Sequence, residues 1–209
     1  MKVSIEGNIG CGKSSVLSRL CNDARIPVFL EPVDEWKDWL ELFYSDPQRW
    51  GMSFNLNVLM SFHKWKNNNF FAFYERSPIS NRYIFAQLQR DEGKMNDMEL
   101  LMFNDIYDKL AWTPDVIIYI KTDPDIALER MKNRGRNCES NVSLEYIKAI
   151  HEKHETLLKN NKLNINNGER CKVFVIDGNR DHESVYNDVL ECYKVIKNMD
   201  TLNQPEKAL

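Results

Sequence analysis

An α/β fold built on a central five-stranded parallel sheet flanked by helices is expected from three features of this 209-residue sequence. Short β-rich runs alternate with longer amphipathic stretches. Those runs are mostly apolar rather than alternating, as strands covered on both faces must be. A glycine-rich segment also joins the first run directly to a helical pattern, in the strand–loop–helix order of a phosphate-binding unit. Strands separated by helices pair in parallel through right-handed crossovers. Ligands then belong at the carboxyl ends of the strands.

The strand-like runs are residues 3–6, 28–30, 70–74, 116–120 and 173–176, and helical segments fill the gaps. Val16, Leu17 and Leu20 mark the apolar face of the first helix. Ser77 followed by Pro78, and Asp123 followed by Pro124, each read as an N-cap with proline in the first helical position. In the last helix Val185, Val189, Tyr193 and Ile196 recur at spacings of three and four, which makes a core-facing stripe. Residues 1–198 read as one domain and 199–209 as a polar C-terminal tail.

Bulk properties narrow the function. A hydrophobic fraction of 43% with 11% aromatics supports a packed core and excludes a disordered chain. The net charge of −3 offers no electrostatic case for a nucleic-acid or membrane surface. The first strand begins close to Met1, so no signal or transit segment is expected, and a cytoplasmic protein is. The cysteines at 11, 21, 138, 171 and 192 are odd in number and lack CxxC spacing, which reads as reduced thiols. The sequon Asn141-Val142-Ser143 is then idle.

Gly7-Asn8-Ile9-Gly10-Cys11-Gly12-Lys13-Ser14 has the form GxxxxGK[ST], the P-loop, with Ser15 following. Its backbone N–H groups cradle nucleotide phosphates, helped by the positive end of the helix dipole. Lys13 is placed for the β- and γ-phosphates and Ser14 for Mg²⁺. The plain alternative, a glycine-rich turn feeding an ordinary helix, leaves Lys13 and Ser14 without a reason. A bound nucleoside triphosphate is the expectation.

Three further segments stand at strand ends. Glu31-Pro32-Val33 puts a carboxylate near the P-loop, either a general base or a solvated loop glutamate. Glu75-Arg76-Ser77 is either a site in which Arg76 neutralises charge and Glu75 reaches a metal, or a structural salt bridge. Arg130-Met131-Lys132-Asn133-Arg134-Gly135-Arg136 is either a lid that closes on phosphates, hinged at Gly135, or a basic helix end that complements the dipole. His151 to Glu155 fails as a metal motif, because HExxH requires a second histidine where Glu155 stands. Both histidines there are expected on a helix surface or interface. Asn161-Lys162-Leu163-Asn164 lacks the last aspartate of a guanine-reading motif, which argues against a GTPase switch.

Taken together, these segments resemble the deoxyribonucleoside kinases, the family of deoxycytidine kinase, mitochondrial thymidine kinase and the multisubstrate insect enzyme. The likeness runs from about Val3 to Asn198. It rests on the P-loop, on Glu31-Pro32-Val33 with Trp36, and on the run from Asp46 to Phe54. Glu75-Arg76-Ser77 with Arg82-Tyr83, the arginine-rich lid, and Leu144-Glu145-Tyr146 before His151 and His154 complete it.

The resemblance implies Glu31 as base towards a nucleoside 5′-hydroxyl, Arg76 as its support, and Lys13, Arg130 and Arg134 as catalytic cations. Arg136 is the third lid cation. Tyr44 and Glu139 match the pair that holds the sugar 3′-hydroxyl. Trp36, Phe54 and Phe85 match the aromatic walls around the base, with Phe85 as stacking platform. Asp177 and Asn179 fall where the family's loop meets the donor adenine. Ser14 and Glu75 are the metal candidates, and a homodimer using ATP with Mg²⁺ is implied.

The departures lie at the base. Asn55 stands where the family carries glutamine, and an asparagine reaches about one methylene less far. Val58, Phe62 and Asn81 complete the implied pocket. An apolar Phe62 with a neutral Asn81 lacks the charged pair of the deoxycytidine branch, which favours thymidine and other pyrimidine deoxynucleosides. Two rival readings are a nucleoside monophosphate kinase of thymidylate kinase type and a non-catalytic nucleotide-binding module.

Overall fold

The computed structural model describes residues 1–136, 139, 142–158, 163–165 and 169–203, with backbone alone at 163–165, 169–170 and 201–203. Asn141 of the sequon, Cys138 and residues 161–162 lie outside the described residues.

The chain runs β1 (Lys2–Gly7), α1 (Lys13–Ala24), β2 (Val28–Phe29), α2 (Lys37–Ser45), α3 (Pro47–His63) and β3 (Ala72–Glu75). It continues through α4 (Pro78–Ser80), a π-helical stretch (Asn81–Ala86), α5 (Gln87–Asp91), α6 (Asp97–Leu110), β4 (Val116–Lys121) and α7 (Pro124–Arg134). Last come α8 (Leu144–Leu158), β5 (Leu163–Ile165), β6 (Glu169–Asp177) and α9 (His182–Asn203). The five expected strands form the parallel sheet in the order β2-β3-β1-β4-β6. A sixth strand, β5, adds to the outer edge of β6 in antiparallel register, with Leu163 opposite Cys171. A three-residue strand, Leu163-Asn164-Ile165, is too short for its pattern to register as a strand in the sequence.

Both faces of the sheet are covered, as its apolar runs require. Val16, Leu17 and Leu20 of α1 pack with Val185, Val189 and Ile196 of α9 against Val3, Ile5 and Ile118. On the opposite face Ile79, Ile117, Tyr119 and Leu158 form a second layer. At about 25 cal/mol per Å² of apolar surface, each such fully buried aliphatic side chain contributes roughly 1.5–3 kcal/mol before entropy is counted. A third cluster, Met52, Leu59, Phe103 and Tyr107, joins α3 to α6 beyond the sheet.

Three expectations change at this level. Ser77 is the residue before α4 and Pro78 opens it, but the Ser77 hydroxyl donates to buried Glu6 Oε1 (2.7 Å) instead of capping the helix. Asp123 likewise precedes α7 without a side-chain cap. Asp46 does cap α3, accepting from the Arg49 amide at 3.1 Å. Second, His154, expected on a helix surface or interface, takes a fully buried place between α8 and β4. Its ring stacks on Tyr119 at 5.7 Å and 3°, and burial holds its pKa well below the usual histidine value. Third, α9 continues past Met199 to Asn203, while 204–209 lie outside the described residues.

Because β1, β2 and β3 run parallel, their carboxyl ends at Gly7, Phe29 and Glu75 open on one edge of the sheet. The three motifs that follow those strands are therefore brought together by topology alone.

Candidate active site

The P-loop turns from β1 into α1 through backbone that only glycine adopts freely. Gly12, the residue before α1, sits at φ 95 with open space around its α-carbon. Gly10 sits at φ 80, and a β-carbon there would lie 2.1 Å from the Ala127 carbonyl oxygen of α7. The loop is thus both twisted and pressed against the lid helix. Lys13 is buried and donates to the Asn8 carbonyl at 2.9 Å, curled over the loop whose phosphates it is expected to serve.

Beside the loop stand the two strand-end carboxylates. Ser14 Oγ donates to Glu75 Oε1 at 2.6 Å, so the two metal candidates are already in contact. Arg76 Nε lies 3.0 Å from Glu31 Oε1, and Arg76 Nη1 donates to the Gly7 carbonyl at 2.8 Å. Its guanidinium carbon is also 4.9 Å from the Phe85 ring centroid. Arg76 achieves this from left-handed backbone, φ 62. Such a conformation costs a non-glycine residue about 1–3 kcal/mol and persists where surroundings over-determine it. Burial raises the Glu31 pKa to about 7 against the lowering pull of Arg76, with Glu75 adding to the rise. A carboxylate there titrates near neutrality, as a general base should.

These groups line one cavity of about 520 Å³. Gly10, Cys11, Gly12, Lys13, Ser14 and Ser15 form its phosphate end together with Ile9. Trp36, Tyr44, Phe54, Asn55, Val58, Asn81 and Phe85 form the other end, with Glu31, Glu75 and Arg76 between. Phe54 stacks on Phe43 at 5.3 Å, and Trp36 meets Phe54 edge-on at 6.4 Å. Such pairs hold aromatic walls rigid.

Several expected site residues take other positions. Phe62 is 1% exposed and sits behind the wall, edge-on to Trp36 at 6.1 Å, because its ring completes the core cluster of Trp36 and Val58. Asn8 turns its side chain to the Ile147 carbonyl of α8 at 2.8 Å, and neither it nor Gly7 lines the cavity. Asn179 accepts from the Asp123 amide at 2.8 Å, and Asp177 accepts from the Asn179 amide at 3.0 Å, so both shape the loop rather than the cavity wall.

Arg130 lines the cavity but donates to the carbonyls of Gly178 (2.6 Å) and Arg180 (2.9 Å), clamping α7 to that loop. Arg134 grips both oxygens of Glu139, at 2.8 and 2.6 Å, and Arg136 approaches at 3.5 Å. The lid and the expected sugar contact are therefore joined. Gly135, at φ 70, ends α7 as its C-cap.

Gln89, Tyr146, Arg180 and His182 also line the cavity. Tyr146 belongs to the Leu144-Glu145-Tyr146 run and Arg180 to the loop expected at the donor adenine, while no motif pointed to Gln89 or His182. Gln89 is 2% exposed and lies in α5, which continues directly from the π-helical stretch. Asn81, Phe85 and Gln89 recur four residues apart, the spacing that keeps side chains on one helix face, and all three line the cavity. Glu6 was missed too. It is buried, its pKa is raised by burial, and Ser4 and Ser77 both donate to its Oε1.

The deoxynucleoside kinase family model matches residues 3–198. This chain belongs to the deoxynucleoside kinase family. The mitochondrial thymidine kinase 2 of Macaca fascicularis is 33% identical over 168 residues, which cover 75% of this chain and 63% of that protein. Human deoxycytidine kinase is 30% identical over 234 residues, covering 92% of this chain and 89% of that protein. Among solved structures, a deoxyadenosine kinase from M. mycoides with bound dCTP superposes with a TM-score of 0.80 at 23% identity, over 93% of this chain and 100% of that one. As a deoxynucleoside kinase the chain is a P-loop phosphotransferase, which accounts for a cavity with a phosphate end and an aromatic end.

Among the described residues no group of three or more histidine, cysteine, aspartate and glutamate side chains is poised around a cation, and no helix is long and apolar enough to cross a membrane.

Proposed function

We propose that this enzyme transfers the γ-phosphoryl group of ATP to the 5′-hydroxyl of a deoxynucleoside, thymidine and other pyrimidine deoxynucleosides foremost. The observation that carries the reading is the buried Glu31–Arg76 pair, standing in one cavity between the P-loop and the aromatic walls. Glu31 takes the proton of the attacking hydroxyl, a role that contributes about 10²–10⁴-fold. Arg76 orients that carboxylate, and holding both substrates in line supplies the rest of the positioning. The P-loop amides and Lys13 stabilise the charge spread over the transferring group. Arg134 and Arg136 approach from the lid, while Arg130 acts through the loop it clamps.

The hydroxyl of Ser14 and the carboxylate of Glu75 are hard oxygen donors in contact with each other. They suit Mg²⁺, which keeps waters and takes its remaining ligands from phosphates. When bound, the ion would neutralise phosphate charge. Tyr44 and Glu139 hold the sugar, with Phe85 stacked on the base. The base preference is supported by two uncharged positions, Phe62 withdrawn into the core and Asn81 neutral at the aromatic end.

A homodimer in a reducing cytoplasm completes the reading. It is supported by exposed Met98 (71%), Leu101 (53%) and Met102 (50%) on α6, and by four free cysteines among the described residues. The dCTP bound by the M. mycoides enzyme supports a site of this fold that accepts a nucleoside triphosphate.

The test is kcat/KM with ATP for thymidine, deoxycytidine, deoxyadenosine and deoxyguanosine, with thymidine monophosphate as a fifth acceptor. Thymidine or deoxycytidine should lead. A dominant purine would overturn the base preference. Faster turnover of the monophosphate would make the protein a nucleotide kinase, and no acceptor-dependent ADP release would leave only a binding module.

A further inference from the structure

We propose that Gln89 reads the nucleobase, with Asn55 acting behind it as the positioning residue that sets its polarity. This rests on the deoxynucleoside kinase reading above. The argument begins at the Gly51 carbonyl, which can only accept. Asn55 Nδ2 donates to it at 2.9 Å, and this fixes which way round the Asn55 carboxamide stands. The same Nδ2 donates to Gln89 Oε1 at 2.8 Å, and Asn55 Oδ1 accepts from Asn81 Nδ2 at 2.9 Å. One backbone carbonyl thereby orients three amides in a chain.

With both of its amide atoms engaged in this way, Asn55 is 1% exposed and its hydrogen-bonding capacity towards the base is largely spent. The unused groups lie at the two ends of the chain. Gln89 keeps an Nε2 donor that no described residue accepts from. Asn81 keeps Oδ1, a buried acceptor without a partner among the described residues. Such an orphan is what a ligand's N–H would satisfy.

Asn81, Asn55 and Gln89 all line the aromatic end of the cavity, and Phe85, four residues from both Asn81 and Gln89, lines it with them. The base recognised there is uncharged and carries one acceptor and one donor along an edge. Gly51 also leaves the room that Gln89 occupies, since a β-carbon at 51 would fall 2.6 Å from Gln89 Oε1.

Two variants test the assignment across the four deoxynucleosides, with the KM for ATP measured beside each. Gln89→Met keeps the length but removes the amide. Its KM for the preferred deoxynucleoside should rise about tenfold, with the preference among bases flattened and the KM for ATP within about twofold. Gln89→Glu keeps an oxygen for Asn55 Nδ2 and replaces the donor by an acceptor. It should shift the ranking towards cytosine and adenine, whose exocyclic amines can donate. If one variant fails to fold, the other still decides.

Unchanged base ratios in a folded variant would overturn the assignment, as would a KM for ATP that rises in step with that for the nucleoside. In both cases the wild-type enzyme would still phosphorylate deoxynucleosides. Absence of that wild-type activity would instead remove the reading beneath it.

Discussion

At the phosphate end of the cavity the working parts are backbone amides, two glycines in left-handed conformation and one lysine, all within eight consecutive residues. At the aromatic end they are side chains from α2, α3, the π-helical stretch and α5, joined by hydrogen bonds between residues 26 and 34 positions apart. A local loop can be built with few side-chain partners, because glycine reaches the positive φ its turns require and lets α7 pack directly on the backbone. An assembled wall is rigid only when every polar atom in it is matched. The first kind of site tolerates little change in shape, and the second tolerates little change in hydrogen-bond polarity. Variants placed on each side, and on the pair between them, should separate these behaviours.

The largest effect is expected where the two halves meet. Glu31→Gln preserves size and a hydrogen bond from Arg76 but cannot take a proton. Its kcat should fall at least about 100-fold, with the dissociation constant for ATP unchanged. Near-normal turnover in a folded Glu31→Gln protein would remove Glu31 as base.

On the phosphate side, Gly10→Ala places a methyl group 2.1 Å from the Ala127 carbonyl at a φ of 80. Left-handed strain of about 1–2 kcal/mol adds to overpacking of about 1–3 kcal/mol. Thermal unfolding should show at least about 2 kcal/mol of destabilisation, with weaker ATP binding. Gly12→Ala, at φ 95 with nothing within 4 Å, should show the conformational cost alone. Equal losses at the two positions would mean that the contact with α7 is not what confines the loop.

How much of each half was legible in the sequence follows the same division. The P-loop motif spans consecutive residues, so its glycines, Lys13 and Ser14 could be read with their roles. Glu31, Glu75 and Arg76 were legible as strand-end residues, but their mutual contacts come from the order β2-β3-β1. Asn55 was legible as an amide facing a base, yet its atoms are engaged by Gly51, Gln89 and Asn81. Gln89 was legible only as the residue four places after Phe85 on one helix face, and its part in the amide chain depends on Gly51 and Asn55 of α3. His154 looked like a surface or interface residue in a charged stretch, and its stacking on Tyr119 depends on where α8 docks. The clamp formed by Arg130 was hidden in a basic run, since a carbonyl partner leaves no mark on composition.

A pH profile sharpens the comparison at its centre. Burial raises Glu31 from its ordinary value of 4.5 to about 7. Below about pH 7 the free enzyme holds that proton and lacks its base, so kcat/KM should rise about tenfold per unit and level off above. The stability effect runs the other way. Between the unfolded and folded pKa values the native state binds the proton more tightly than the unfolded chain. The contribution of Glu31 is therefore greatest at low pH and is lost as pH rises towards about 7. A kcat/KM flat from pH 5.5 to 8 would place the catalytic proton elsewhere.

The smallest effect concerns a residue that belongs to the phosphate end but works as an assembled part. The planar fork of Arg130 reaches the Gly178 carbonyl from Nη1 and the Arg180 carbonyl from Nη2. Lysine keeps the charge but cannot hold two divergent carbonyls with one fixed geometry. If Arg130 acts mainly on the transferring phosphates as a charge, Arg130→Lys should retain most of kcat and the KM for ATP. If it acts as the clamp seen here, about 1 kcal/mol of hydrogen bonding is lost. The KM for ATP should then rise about three- to tenfold while kcat stays within about threefold. The KM for the nucleoside should not move, since among the described residues the aromatic wall shares no hydrogen bond with this loop. A matching rise in both KM values would show that the two ends are coupled through α7, and the division between backbone and side-chain construction would fail there.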